Sequence, residues 1–128
     1  MSGADTAEIG EFFSSFGRVS VRRLFGGQGI YADGLCFAFL SEGEYFLKTD
    51  DVTRARFEAA GSSPFVFVMR GKPMEMSFWR LPTAAYDDAD ELRLWATLGL
   101  EAARRAAAGK GKGKSKTVLK PTETKIIR

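Results

Sequence analysis

RRLFGGQGIYADG, residues 22–34, sets two arginines against a run of glycines and ends in an Asp-Gly pair. Gly27-x-Gly29-x-x-Ala32 satisfies the loosest form of a dinucleotide-binding loop, and Asp50 stands near the distance of a ribose-binding acid. Such a loop works because it opens a helix whose N-terminal amides hold pyrophosphate. Here the following residues alternate into a strand and reach Asp33-Gly34, a hairpin turn signal, and no Gly-Lys-Ser/Thr is present at the glycines. The stretch therefore reads as a bend between strands, with Gly26, Gly27 and Gly29 permitting a bulge or a positive-φ turn.

On either side of this stretch and within it, VSVRRLF, GIYA, LCFAFL, YFLKT, FVFVM and EMSFWRL are short apolar or alternating runs bounded by turn residues, and each predicts a strand. Asp33-Gly34, SEGE and RGKP join successive strands as hairpins, which makes the sheet antiparallel. LCFAFL is apolar on both faces and belongs in the middle. Helices close the two ends. Ile9, Phe12, Phe13 and Phe16 fall at helical spacing behind an Asp5/Glu8 capping box, with Gly17 as a stop. At the other end Leu92, Trp95, Ala96, Gly99, Ala102, Ala103 and Ala106 form one face after the acids Asp87 and Asp88, and their small size predicts close approach to the domain's own sheet. DDVTRARFEAAG, from Asp50 to Gly61, predicts a short helix between the fourth and fifth strands. The expectation is an α+β domain: a mainly antiparallel sheet of five to six strands flanked by an N-terminal and a C-terminal helix, with a short helix before the last two strands.

The chain has 128 residues, 45% of them hydrophobic, enough for one compact core. No apolar run approaches the roughly 20 residues that span a bilayer, and the first residues carry no signal-peptide pattern, so a soluble cytoplasmic protein is expected. The net charge of +3 hides two regions. Residues 109–128, GKGKGKSKTVLKPTETKIIR, hold seven Lys or Arg and one acid, a net +6, while residues 1–108 hold 12 basic and 15 acidic residues, a net −3. This sets a domain at 1–108 and a flexible basic tail at 109–128, since alternating Gly and Lys offer little apolar surface against the entropy of ordering.

Chemistry finds few instruments here. With no histidine and the single cysteine Cys36, no ordinary zinc site and no Ser-His or Cys-His pair can be assembled. Cys36, inside LCFAFL, reads as a small buried apolar residue. Asp50-Asp51 and Asp87-Asp88 read as helix-start acids. No enzyme activity, cofactor or metal is expected. Alternation puts Arg23 on the side of Val19, Val21 and Phe25, where a charge calls for a carboxylate or carbonyl partner, or for a bulge that turns it outward. Arg22, Arg23, Phe25, Lys48, Arg70 and Lys72 make a candidate partner surface, because basic residues beside aromatics such as Tyr31, Tyr45, Phe78 or Trp79 can receive a protein or stack with nucleic acid.

The ordered series VRRLFGGQGIYADGLCFAFL, YFLKTD, FEAAG, PFVFVMRGKPMEMSFWRLP and ADELRLWATLGLEAARRA resembles the N-terminal domain of the TfoX family, named for regulators of DNA-uptake competence. The resemblance covers about residues 10–107, and its matching positions are Arg23, Phe25, Gly26, Gly27, Gly29, Lys48, Gly61, Phe65, Gly71, Lys72, Met76 and Pro82. It implies a small α+β domain, carries no catalytic residues across, and points to a non-enzymatic regulatory or adaptor module in transcriptional control of competence that binds a protein partner. Well-known members of that family have a second, C-terminal domain where this chain has its Lys-rich residues. One alternative is weak, non-specific nucleic-acid binding through Lys110, Lys112, Lys114 and Lys116 of the tail. Another is a small-ligand pocket near Arg23 and Lys48. The oligomeric state is left open, a homodimer included.

Overall fold

The computed structural model describes residues 6–24 and 26–113. Asp5 of the expected capping box, Phe25, Lys114, Lys116 and the rest of 114–128 lie outside them. Helix α1 (Thr6–Phe12) is followed by β1 (Ser20–Leu24), β2 (Gly27–Ala32), β3 (Leu35–Ser41) and β4 (Glu44–Lys48). Next come α2 (Arg54–Ala59), β5 (Pro64–Met69), β6 (Lys72–Arg80), a 3-10 turn at Thr83–Tyr86, and α3 (Ala89–Gly113). The six strands form one antiparallel sheet in the order β1-β2-β3-β4-β6-β5, so β3 lies inside it as its two-sided apolarity requires. No helix opens at the glycines, which run directly into β2.

Three of the connections are two-residue turns with both central residues at positive φ: Asp33-Gly34 (53° and 76°), Glu42-Gly43 (49° and 80°) and Arg70-Gly71 (54° and 79°). Ala32 pairs with Leu35, Ser41 with Glu44 and Met69 with Lys72 across them. This backbone twist matches that of the strands it joins, and glycine takes the second position because it has no Cβ to clash there. A bulge falls between Ile30 and Tyr31, opposite Phe37. It turns Phe37 and Ala38, consecutive in β3, both into the helix-side core.

Gly27 and Gly29 serve a purpose other than bending. A Cβ on Gly27 would lie 2.4 Å from the Leu40 carbonyl oxygen and 3.0 Å from the Phe39 ring, and one on Gly29 would lie 3.0 Å from Leu24 Cδ2. Both are sites of close packing between strands. Gly99 does the same for the helix: its Cβ would meet the Phe37 carbonyl oxygen at 3.0 Å, so the small residues of α3 let it lie close on β3 and β4.

The core lies between the sheet and the helices. Ile9, Phe13, Ile30, Phe37, Leu47 and Phe57 are fully buried there with Ala96, and Trp95 packs edge-on against Phe57 at 4.8 Å between ring centroids. Along α3 burial runs from Leu92 to Ala103 and includes Leu98 and Leu100, whereas Ala106, expected on the same face, is exposed. Asp88 caps this helix, its Oδ1 accepting the Asp90 and Glu91 amides at 2.9 and 3.2 Å. The helix continues to Gly113, past the boundary at residue 108, and the backbone of Lys110 and Lys112 falls within it.

Asp50 ties α2 to α3. Its Oδ1 accepts the amides of Val52 and Thr53, and Arg105 of α3 donates to Oδ2 at 2.6 Å and to Oδ1 at 3.1 Å. Burial pushes the Asp50 carboxyl up, but the Arg105 bonds and charge, with the two backbone amides, outweigh it and hold the group below the usual carboxylate range. A depressed carboxylate contributes stability above its unfolded pKa of about 3.9 and loses it as pH falls through the folded value. Asp50→Asn should therefore lower the melting temperature at pH 7, and the gap to wild type should close on acidification below about pH 4. Paired melts from pH 7 to pH 2 check this, and a gap that stays constant contradicts it.

Candidate functional site

The helices occupy one side of the sheet, and register settles what stands on each. Ile30, Ala38, Leu47 and Trp79 face the helices, and so does Tyr45, whose ring stacks on Phe12 at 4.3 Å. Burial first, then the charges of Tyr86 and Glu8, push the Tyr45 hydroxyl up to about 12. The Tyr86 hydroxyl accepts the Tyr45 amide at 2.9 Å, a link that the Tyr-Asp-Asp run beside it does not announce. Trp79 and Tyr45 are thus core residues rather than members of a binding surface.

The opposite, helix-free side carries a second apolar cluster. Phe39 of β3 and Phe46 of β4 are almost wholly buried although no helix covers them. The β5–β6 hairpin curls over them. Phe65 brings its ring to 5.1 Å from Phe39 and 4.9 Å from Phe46, with β4 and β6 lying between β5 and β3 in the strand order. Phe78 lies 6.1 Å from Phe39 and Phe67 6.5 Å from Phe65. Alternation adds Met74 and Met76, making a curved sheet face lined with Phe and Met.

Cations stand around it. The Arg22 guanidinium lies 5.1 Å from the Tyr31 ring centroid, Lys48 Nζ 5.5 Å from that of Phe78, and Arg80 5.4 Å from that of Phe46. Lys48 also donates to Ser77 Oγ at 2.7 Å. Lys72, exposed at the start of β6, falls on the same face by alternation. Among the described strand residues, the acid on this face is Glu44, which Arg80 meets at 3.4 Å. Cys36 lies beside Tyr31, half-buried rather than fully so, its thiol donating to the Ala38 carbonyl at 3.4 Å. Burial pushes that thiol up, away from the thiolate that reactivity would need.

Of the expected surface residues, Arg22, Lys48 and Lys72 share this face, and Arg70 stands exposed at the turn beside it. Arg23 does not join them. It pairs with Gln28, which pairs with Leu40, placing it on the helix side, and it is exposed there. Strand β1 is an edge, so water solvates the guanidinium and the partner that a buried charge demands is not required. Arg23 and Lys48 stand on opposite faces of the sheet with two strands between them, so they share no surface. A shallow cleft lies elsewhere, between Gly61, Ser62, Arg80, Pro82 and Tyr86. Among the described residues no group of three or more Cys, Asp or Glu gathers as metal ligands, and no helix is long and apolar enough to cross a membrane.

An open six-stranded antiparallel sheet with helices on one side and an aromatic, cation-rimmed second side defines a small α+β domain. Residues 11–103 match the family model of the TfoX N-terminal domain, and the chain belongs to that family. No curated protein matches the chain.

Proposed function

We propose that the chain is a non-enzymatic regulatory adaptor, acting in the cytoplasm in transcriptional control of competence, that receives an acidic segment of a protein partner on the helix-free side of its sheet. The observation that carries this reading is the pairing of Phe65, Phe67, Phe78, Met74 and Met76 with Arg22, Lys48 and Lys72 on one face, where the acid present is already engaged by Arg80. Aromatic and Met side chains supply adaptable apolar contact, and the cations select an anionic partner and speed its approach.

Family membership supports the regulatory part. The test is capture from native extract by the full chain and by a Lys48→Glu/Lys72→Glu variant, each with and without nuclease. A protein retained by the wild type in the presence of nuclease and lost by the variant, whose melt stays within a few degrees of wild type, is the expected result. Capture that nuclease abolishes would transfer the role to nucleic acid held by the Lys-rich residues beyond Gly109. Capture indifferent to both substitutions would remove this face from the account.

A further inference from the structure

Strand β6 spans nine residues, yet β4 pairs with its last three alone, Phe46 with Arg80, Leu47 with Trp79 and Lys48 with Phe78. The remainder of β6 and the strand β5 beside it run on as a two-stranded ribbon, paired from Val66–Glu75 to Met69–Lys72. A two-stranded hairpin is marginal in water unless something packs on it or extends it. Four of the exposed large hydrophobic side chains sit on this ribbon, Val66 (46% exposed), Val68 (62%), Met69 (49%) and Met74 (47%). Strand β5, PFVFVM, forms one edge of the sheet without a charge along its length. Natural edges are usually blunted by charge, as the opposite edge β1 is by Arg22 and Arg23.

We propose that β5 is the dimerisation edge of this protein, pairing antiparallel with β5 of a second copy about a twofold axis through Val66. The occupant follows from the strand itself. An axis through Val66 sets Val66 against itself, Phe65 against Phe67 and Pro64 against Val68 of the other copy, so every cross-strand neighbour in the pairing is apolar on both faces. No like charges meet in the pairing, whereas self-pairing of β1 would bring Arg22 and Arg23 against their counterparts.

Twelve strands would then run continuously, and the two Phe- and Met-lined faces would adjoin as one surface. This proposal stands on the sheet edge and not on the face used above, so either can fail alone.

The test is the oligomeric state of the full chain by sedimentation over a micromolar-to-millimolar range, with Val68→Lys as the disrupting variant. The substitution is at an exposed position, and it should weaken dimerisation about tenfold or more while the chain stays folded. A second arm places Val66→Cys in a Cys36→Ala background, where oxidation should give a covalent dimer, with Ser20→Cys on the opposite edge staying monomeric. A wild-type chain that is monomeric throughout, a dimer unmoved by Val68→Lys, a crosslink from Ser20→Cys as ready as from Val66→Cys, or open-ended assemblies in place of a dimer would each overturn the proposal.

Discussion

Phe13→Ala is expected to destabilise the domain by about 3–5 kcal/mol. The ring is fully buried and meets Phe37 at 5.6 Å, Tyr45 at 5.4 Å and Phe16 at 6.4 Å between centroids. Truncation removes apolar area and leaves a hole that α1 must move to fill. That helix is seven residues long, too short to hold itself together in water, so its place depends on Ile9 and Phe13 gripping the sheet. The half-buried Phe12 stacks on Tyr45 with one side toward solvent, and Phe12→Ala should cost clearly less. Denaturant unfolding of both variants measures the difference. Equal losses would mean that the two rings carry the same load and that the burial described for Phe13 is mistaken.

Gly27→Ala is the second large effect, for a steric reason rather than a conformational one. The new methyl would lie 2.4 Å from a backbone oxygen, that of Leu40, and a backbone in mid-sheet cannot swing aside as a side chain can. Strands β2 and β3 must separate or shift, at a cost of about 1–3 kcal/mol. Gly29→Ala, which meets Leu24 Cδ2, Tyr31 and Cys36 side chains at 3.0–3.4 Å, has softer neighbours and should lose less. The comparison is again an unfolding curve for each variant. A Gly27→Ala protein as stable as wild type would show that the strands are not packed this closely.

These two glycines mark where sequence reading runs out. Their neighbours show that the run is not a phosphate loop, because alternation and an Asp-Gly pair leave no helix to open. Why glycine stands at 27 and 29 is a matter of what crosses above them, Leu40 and Leu24, and no local pattern records that. The turns were legible for the converse reason: Asp33-Gly34, Glu42-Gly43 and Arg70-Gly71 each carry their geometry within two residues. Helix α1 was legible as an element, but Phe12 and Phe13 differ by one position in spacing, and only the sheet beneath decides which is the deeper.

The helix-free face was half legible. Arg22, Lys48 and Lys72 declare themselves as basic residues beside aromatics, whereas the cluster of Phe39, Phe46 and Phe65 depends on the sheet curling until its sixth strand reaches its third. Alternation also put Arg23 on the apolar side correctly, yet could not tell that β1 lies at an edge where that side opens to water. Asp50 read as a helix-start acid, and it caps the turn that leads into α2, three residues before the N-cap Thr53. That it also receives Arg105 from 55 residues away is long-range information which helix-start chemistry does not contain.

The tight turns leave a kinetic signature in the chain. Strands β2, β3 and β4 each find their partner across a connection of two residues, so the first four strands can assemble by closing small loops in succession. The junction of β4 with β6 is different, because Lys48 and Phe78 are separated by α2, β5 and the hairpin turn. Closing that long loop costs more chain entropy and gains three residue pairs in the sheet, so it is the natural late step of folding. Until it closes, Phe39 and Phe46 lack the cover of Phe65. The segment that finally shields them is the same hairpin whose outer edge is left open in the finished fold.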